Sequence, residues 1–144
     1  DNVINDSAFV GGTVRSFARP VQDMVERRMR EICAGHAAAF AVDVTCTYTR
    51  GYPATINMPE HTAFASQVAE EVCGTALLET DRTREMGAED FSYLLEKRPG
   101  CYLFLGQGEG AAWHNAAFDF NDEVSPVGAS FFARLVERAQ PLEQ

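Results

Sequence analysis

The amino-acid sequence predicts an α/β protein built as a partial two-domain chain, and three observations carry that expectation. Apolar residues recur at helical spacing at Val21, Met24, Val25 and Ile32, and again at Phe64, Ala65, Val68, Ala69 and Val72. Between these stretches the chain alternates strictly, with Val42, Val44, Cys46 and Tyr48 on one face and Asp43, Thr45, Thr47 and Thr49 on the other. Gly51 and Pro53 stop that alternation, and GYPATINMPE has the turn chemistry of a connection, which separates residues 1–52 from residues 53–144.

The elements follow in order. SAFVGGTVRSF, Ser7 to Phe17, is rich in β-formers but broken by Gly11 and Gly12, the pattern of a bulged strand. Pro20 suits a first helical turn, and the stripe behind it predicts an amphipathic helix that ends at Gly35. A strand over Val42–Thr49 completes a strand-helix-strand unit. The second helical stripe ends at Gly74, and the short apolar stretch Ala76–Leu78 follows. A short helix from about Ala88 to Lys97, a strand CYLFLG, a glycine-rich loop and a last helix from about Pro126 to Ala139 complete the order. There are no internal repeats, which removes solenoids and arrays.

Composition narrows the function. With 144 residues, 46% of them hydrophobic and 23% charged, the chain can bury a core and is not generally disordered. Twenty-one acids against twelve Lys and Arg give a net charge of -9, which repels phosphate and argues against nucleic acid or an anionic membrane as partner. No apolar run approaches the roughly 20 residues needed to span a bilayer, and DNVINDSAFV lacks the regions of a signal peptide. Four dispersed cysteines, Cys33, Cys46, Cys73 and Cys101, form neither a CxxC pair nor a dense framework, so free thiols in a cytoplasmic protein are expected.

No self-contained catalytic motif is present, neither HExxH, P-loop, GxSxG nor Cys-His zinc spacing. Chemistry must come from scattered groups. In MGAEDFSYLLEK, Gly87 precedes a helix whose first turn holds Glu89 and Asp90; capping accounts for both acids, while the glycine would let another molecule approach the backbone. In WHNAAFDFND, His114 sits in a loop after a strand, a place where functional side chains gather, and imidazole is the commonest ligand for zinc-like metals, although a lone histidine is usually structural. Arg15 is a planar cation suited to clamping a carboxylate, and its ordinary alternative is a solvated surface residue. Asn2 lies thirteen positions before it, an odd spacing that one bulge at Gly11 and Gly12 would convert to a shared face. His36 and His61, near a helix end and a helix start, receive no role.

NVINDSAFVGGTVRSF, RGYPATIN, MGAEDFSYLLEKRPGCYLFLG and HNAAFDFNDEVSPVGA resemble, in this order, successive blocks of the aminoacylase, hippurate hydrolase and carboxypeptidase-G2-like family of metal-dependent amidohydrolases. The likeness covers almost the whole chain. It extends to the GxEDF and HNPxFDF patterns shared by bacterial hippurate hydrolases and plant auxin-conjugate hydrolases. The resemblance implies that residues 1–52 are the C-terminal half of an α+β lid that mediates homodimerisation, and residues 53–144 the C-terminal part of an α/β catalytic domain. It implies His114 as a metal ligand, Asn2 and Arg15 as lid residues holding a substrate carboxylate, and Gly87 as a pocket-lining glycine.

The activity implied is hydrolysis of an N-acyl or N-aroyl amino acid assisted by two divalent ions, zinc, manganese or cobalt. The family's catalytic glutamate, its other ligands and the lid histidine lie in blocks that this sequence does not contain. No catalytic residue is therefore assigned here, and the isolated chain is expected to be inactive and to retain no tightly bound metal. Asn5 where relatives usually carry proline, and Ala116 where HNP is usual, put substrate fit in doubt rather than reaction class. The competing reading is a non-catalytic dimerisation or binding module derived from the same family.

Overall fold

A computed structural model describes residues 2–141. Contacts divide them into two compact units: the first runs to Ala54 and takes in Met86–Ala88, and the second comprises Thr55–Glu85 and the chain from Glu89 onward. Each has its own organisation.

In the first unit one long helix, α1 (Arg19–Phe40), is the only regular element among the described residues. Pro20 sits in its first turn, where a missing N–H costs nothing. The helix does not stop at Gly35 as the sequence predicts. It runs on through Ala37–Ala39, because the strong helix propensity of alanine offsets the roughly 1 kcal/mol that an interior glycine costs. It ends at Ala41, which takes the left-handed conformation at φ 52°, while the Val42 N–H reaches back to the Ala37 carbonyl at 3.2 Å. That is a Schellman-type closure with alanine where glycine is favoured. Ala41→Gly is therefore expected to raise stability by about 0.5–1 kcal/mol; a urea midpoint below that of the parent would contradict it.

The chain beyond α1 is tied back to the helix by polar contacts. The Arg30 guanidinium donates to the Cys46 carbonyl at 3.3 Å and pairs with Glu26 at 2.8 Å, while Arg50 pairs with Asp23 at 2.6 Å and Glu26 at 2.7 Å. Hydrogen bonds from Arg30 and then Arg50 hold the Glu26 carboxyl below its ordinary pKa. The arginines and Asp23 are exposed and Glu26 is half-buried, and such pairs fix geometry more than they add stability.

The second unit packs α2 (Pro59–Cys73) against α4 (Ser125–Ala139), with α3 (Phe91–Lys97) and short 3-10 turns at Thr75–Leu77 and Asp122–Val124. Gly74 at φ 80° closes α2, as its position in the sequence predicts. Val68 and Ala65 from α2 and Leu95 from α3 form the buried apolar core, with Ser92 buried beside them and donating its hydroxyl to the Glu89 carbonyl at 2.6 Å. Arg134 of α4 reaches Glu71 of α2 at 2.6 Å.

The expected α/β character is not found: among the described residues there is no β-strand. Ser7–Phe17, Val42–Thr49 and CYLFLG, all predicted as strands, are irregular or extended. Alternation of side chains is a property of a single segment, whereas a strand exists only through a ladder to a neighbouring backbone. Two local details show what replaces that ladder. In the first segment, a Cβ at Gly11 would lie 2.8 Å from the Phe9 ring, so the glycine accommodates an aromatic two residues before it rather than a bulge in a paired strand. In the last, the Asn57 side chain pairs with one residue as a strand would: its amide nitrogen donates to the Tyr102 carbonyl at 2.9 Å and its oxygen accepts the Tyr102 N–H at 2.8 Å. Met58 N–H to the Gly100 carbonyl, at 3.0 Å, extends this substitute ladder.

Candidate functional site

The second unit contains an open cleft of about 500 Å3, and His114 lines it together with Arg82, Glu85, Trp113 and Phe118. His114 occupies the third position of a turn closed by the Asn115 N–H to the Ala112 carbonyl at 3.1 Å, and its φ is 65°. A positive φ at that position is what glycine or asparagine usually supplies, so a histidine there is a conformational exception of the kind that gathers at functional sites.

The loop carrying His114 is pinned at both scales. Next to the turn, the Asn115 side chain accepts the Ala117 N–H at 2.9 Å, and the Asn115 carbonyl accepts the Phe118 N–H at 3.0 Å. At the neck, the Gln107 amide donates to the Asp119 carbonyl at 3.3 Å, and the Asn121 amide donates to the Gln107 carbonyl at 3.2 Å. Asn121 also caps the following 3-10 turn by accepting the Glu123 N–H at 3.1 Å. Sequence reasoning missed Gln107 and Asn121 as positioning residues. The available signal was Asn121 ahead of DEV, a cap pattern hidden in a run of acids.

Behind the loop runs the segment Cys101–Gly106. Tyr102 and Phe104 carry a line of rings: Phe91 to Tyr102 at 5.5 Å, Tyr102 to Phe104 at 5.3 Å edge-on, and Phe104 to Trp113 at 6.0 Å and 16° between planes. Leu105, of opposite parity, meets α4, where a Cβ on Gly128 would lie 3.4 Å from its Cδ2. The Arg82 guanidinium lies over the Phe104 ring at 4.4 Å and is neutralised by Glu85 at 2.5 Å.

The GAEDF block resolves into capping. The Glu89 carboxylate accepts the Phe91 N–H at 3.3 Å and the Tyr102 hydroxyl at 3.1 Å, whereas Asp90 makes no side-chain cap. The Phe91 amide first, then Asp90 and the Tyr102 hydroxyl, hold the Glu89 pKa below its ordinary value, while burial and then the Glu89 contact push Tyr102 up. A glutamate that ties a helix start to the aromatic line is a structural part here.

Asn2, Arg15 and Gly87 fall in the first unit and all three are exposed. A Cβ at Gly87 would meet nothing within 4 Å, so no steric demand for glycine is visible there. His36 stacks on Phe40 at 5.9 Å, one turn away on α1. The four thiols are free and partly buried. Among the described residues no three His, Cys, Asp or Glu side chains, those around His114 included, converge in a way that could hold a metal ion. No helix among them is long and apolar enough to cross a membrane.

Residues 4–138 match the family model for Peptidase family M20/M25/M40. Relatives include the hippurate hydrolase of Campylobacter jejuni, 31% identical over 93% of this chain and 35% of its own length. The putative amidohydrolase YhaA of Bacillus subtilis is 32% identical over 92% of this chain and 34% of its own length. Thermostable carboxypeptidase 1 of Saccharolobus solfataricus is 31% identical over 94% of this chain and 35% of its own length. The chain thus spans about a third of the length of these curated relatives. No solved structure matches it. With a match from residue 4 to residue 138 and relatives aligned along nearly all of its length, the chain belongs to peptidase family M20/M25/M40.

Proposed function

We propose that this chain is the C-terminal portion of a metal-dependent amidohydrolase that splits an N-acyl or N-aroyl amino acid into a carboxylic acid and an amino acid. The observation that carries this reading is the presentation of His114: an imidazole in a left-handed turn, in a loop tied at its neck, on the wall of an open cleft. The relatives' names, hippurate hydrolase and N-acetylcysteine deacetylase among them, agree on amide hydrolysis and differ in the acyl group.

In this reading His114 is one ligand to a divalent ion, and the other ligands and the catalytic glutamate come from the two thirds of the relatives' length that this chain does not span. When bound, such an ion supplies a Lewis acid that makes water nucleophilic near neutral pH. The chain's own residues hold and shape the site. The Gln107–Asn121 neck fixes the loop, and the Asn57 pairing and the Glu89 clamp fix the aromatic segment behind it. Residues 1–52 are assigned to the lid of a cytoplasmic homodimer, and Asn2 and Arg15 to the substrate's carboxylate.

The Arg15 role has a direct test in the enzyme that contains this chain. Arg15→Ala should raise KM for an N-acyl amino acid about tenfold or more, roughly 1.4 kcal/mol per factor of ten, with a smaller change in kcat. Arg15→Lys should recover only part, because an ammonium cannot make the two-point contact of a guanidinium. Unchanged kinetics in Arg15→Ala would sink the assignment.

A further inference from the structure

We propose that Cys33 and Cys46 are a thiol pair that a small-molecule disulfide oxidises to an intramolecular disulfide, locking the chain after α1 onto the helix. The inference concerns the first unit alone and is independent of the amidohydrolase reading.

Placement is the first support. On α1 the half-buried residues Gln22, Glu26, Cys33 and Ala37 follow one another at intervals of four, seven and four, which is one face of the helix. In the chain after it, Cys46 and Tyr48 are half-buried between exposed Thr45, Thr47 and Thr49, the alternation of an extended run. Both sides of this contact belong to the chain itself.

Register is the second. Arg50 pairs with Asp23 and Glu26, whereas the Cys46 carbonyl accepts from Arg30, so the run passes α1 in the antiparallel direction. Four extended residues from Arg50 back to Cys46 cover about 13 Å, the rise of about nine helical residues, which brings Cys46 level with the turn that holds Cys33. Burial first, and then hydrogen bonding with the Cys46 side chain, hold the Cys33 thiol above its ordinary pKa, so the two sulfurs are neighbours. No third His, Cys, Asp or Glu converges on them among the described residues, which makes the pair a redox couple rather than a metal site.

The chemistry is thiol-disulfide exchange with a compound such as oxidised glutathione. One cysteine thiolate attacks a sulfur of the small disulfide, forms a mixed disulfide and releases the first thiolate. The second cysteine thiolate attacks the protein sulfur of that bond, closes the Cys33–Cys46 disulfide and releases the second. Two cysteines are oxidised, one small disulfide is reduced to two thiols, and the two cysteine protons pass to the released thiolates. Neighbouring sulfurs make the second step intramolecular and favour the linked form over a lasting mixed disulfide.

The test equilibrates the 144-residue protein with reduced and oxidised glutathione, blocks open thiols with iodoacetamide and maps tryptic peptides. Residues 31–50 hold no Lys or Arg before Arg50, so both cysteines fall in one peptide. That peptide should lack alkyl groups and be two hydrogens lighter than its reduced form, while Cys73 and Cys101 are alkylated. At the same glutathione ratio, linked over open peptide should be at least about tenfold higher in native protein than in urea, because only the fold holds the sulfurs together. An equal ratio, or a peptide carrying glutathione in place of the link, overturns the pair. Circular dichroism tests the lock: the oxidised protein should lose its helix signal about 5 °C or more above the reduced one. Cys46→Ser should show no such difference. No rise on oxidation, or a rise that persists in Cys46→Ser, overturns the lock.

Discussion

His114→Ala is expected to lower kcat for an N-acyl amino acid by on the order of a thousandfold in the enzyme that contains this chain, about 4 kcal/mol of added barrier. Bound divalent metal, measured by elemental analysis, should fall with it, because losing one ligand of a three- or four-ligand site weakens the whole set. Alanine alone leaves an ambiguity that the backbone creates. His114 holds φ 65°, where alanine costs about 1 kcal/mol or more, so part of any loss could be a loosened loop. His114→Gly separates the two effects. Glycine adopts that backbone freely, so this variant should melt no lower than the alanine variant and yet be just as inactive. Activity within tenfold of the parent in His114→Gly would remove the imidazole from the reaction and leave the turn as what matters.

The same residue shows how far sequence reasoning reaches. That His114 lies in a loop among aromatic and acidic neighbours is written in WHNAAFDFND. That its turn needs a positive φ is not, because only the Asn115-to-Ala112 closure reveals the turn. The loop's neck was illegible for a related reason: Gln107 and Asn121 stand fourteen residues apart and meet only once the loop has closed. Arg82 is further still from Phe104 in sequence, and no local pattern announces a guanidinium over that ring.

Elements whose signal is local were legible. Gly74 ends α2 where expected and the last helix differs from its expected start by one residue, whereas Pro59 and Glu60, read as part of the connection, form the first turn of α2. The end of α1 was misplaced because a breaker at Gly35 was weighed without the alanines after it. The strands failed for a deeper reason. Val42–Thr49 alternates as a half-buried strand does and CYLFLG is a short apolar run, but pairing is a relation between segments, and these have no ladder among the described residues. Asn57 makes the point in reverse: one side-chain amide supplies both bonds of a ladder rung to Tyr102, from a position that reads as turn chemistry in GYPATINMPE.

Val68→Asp should abolish the cooperative unfolding of the second unit. Val68 is 0% exposed in the middle of α2, where it is the most deeply buried member of an apolar set completed by Ala65 and Leu95 among the described residues. A carboxylate there would lose its water, with a cost of about 4 kcal/mol or more on top of the lost valine contacts. Domains of this size are stable by only about 5–15 kcal/mol, and a unit with so few buried side chains belongs near the lower end. The α2–α4 pairing could not compensate through Arg134 and Glu71, because a surface pair of that kind contributes about 1 kcal/mol at most. Val68→Ala sets the scale, since it removes two methyl groups without adding charge and should cost about 2 kcal/mol, lowering the melting temperature while keeping a single transition. Circular dichroism melts of the two variants decide it. If Val68→Asp melts together with Val68→Ala, the α2 face is hydrated in solution and Val68 is not the centre of the core.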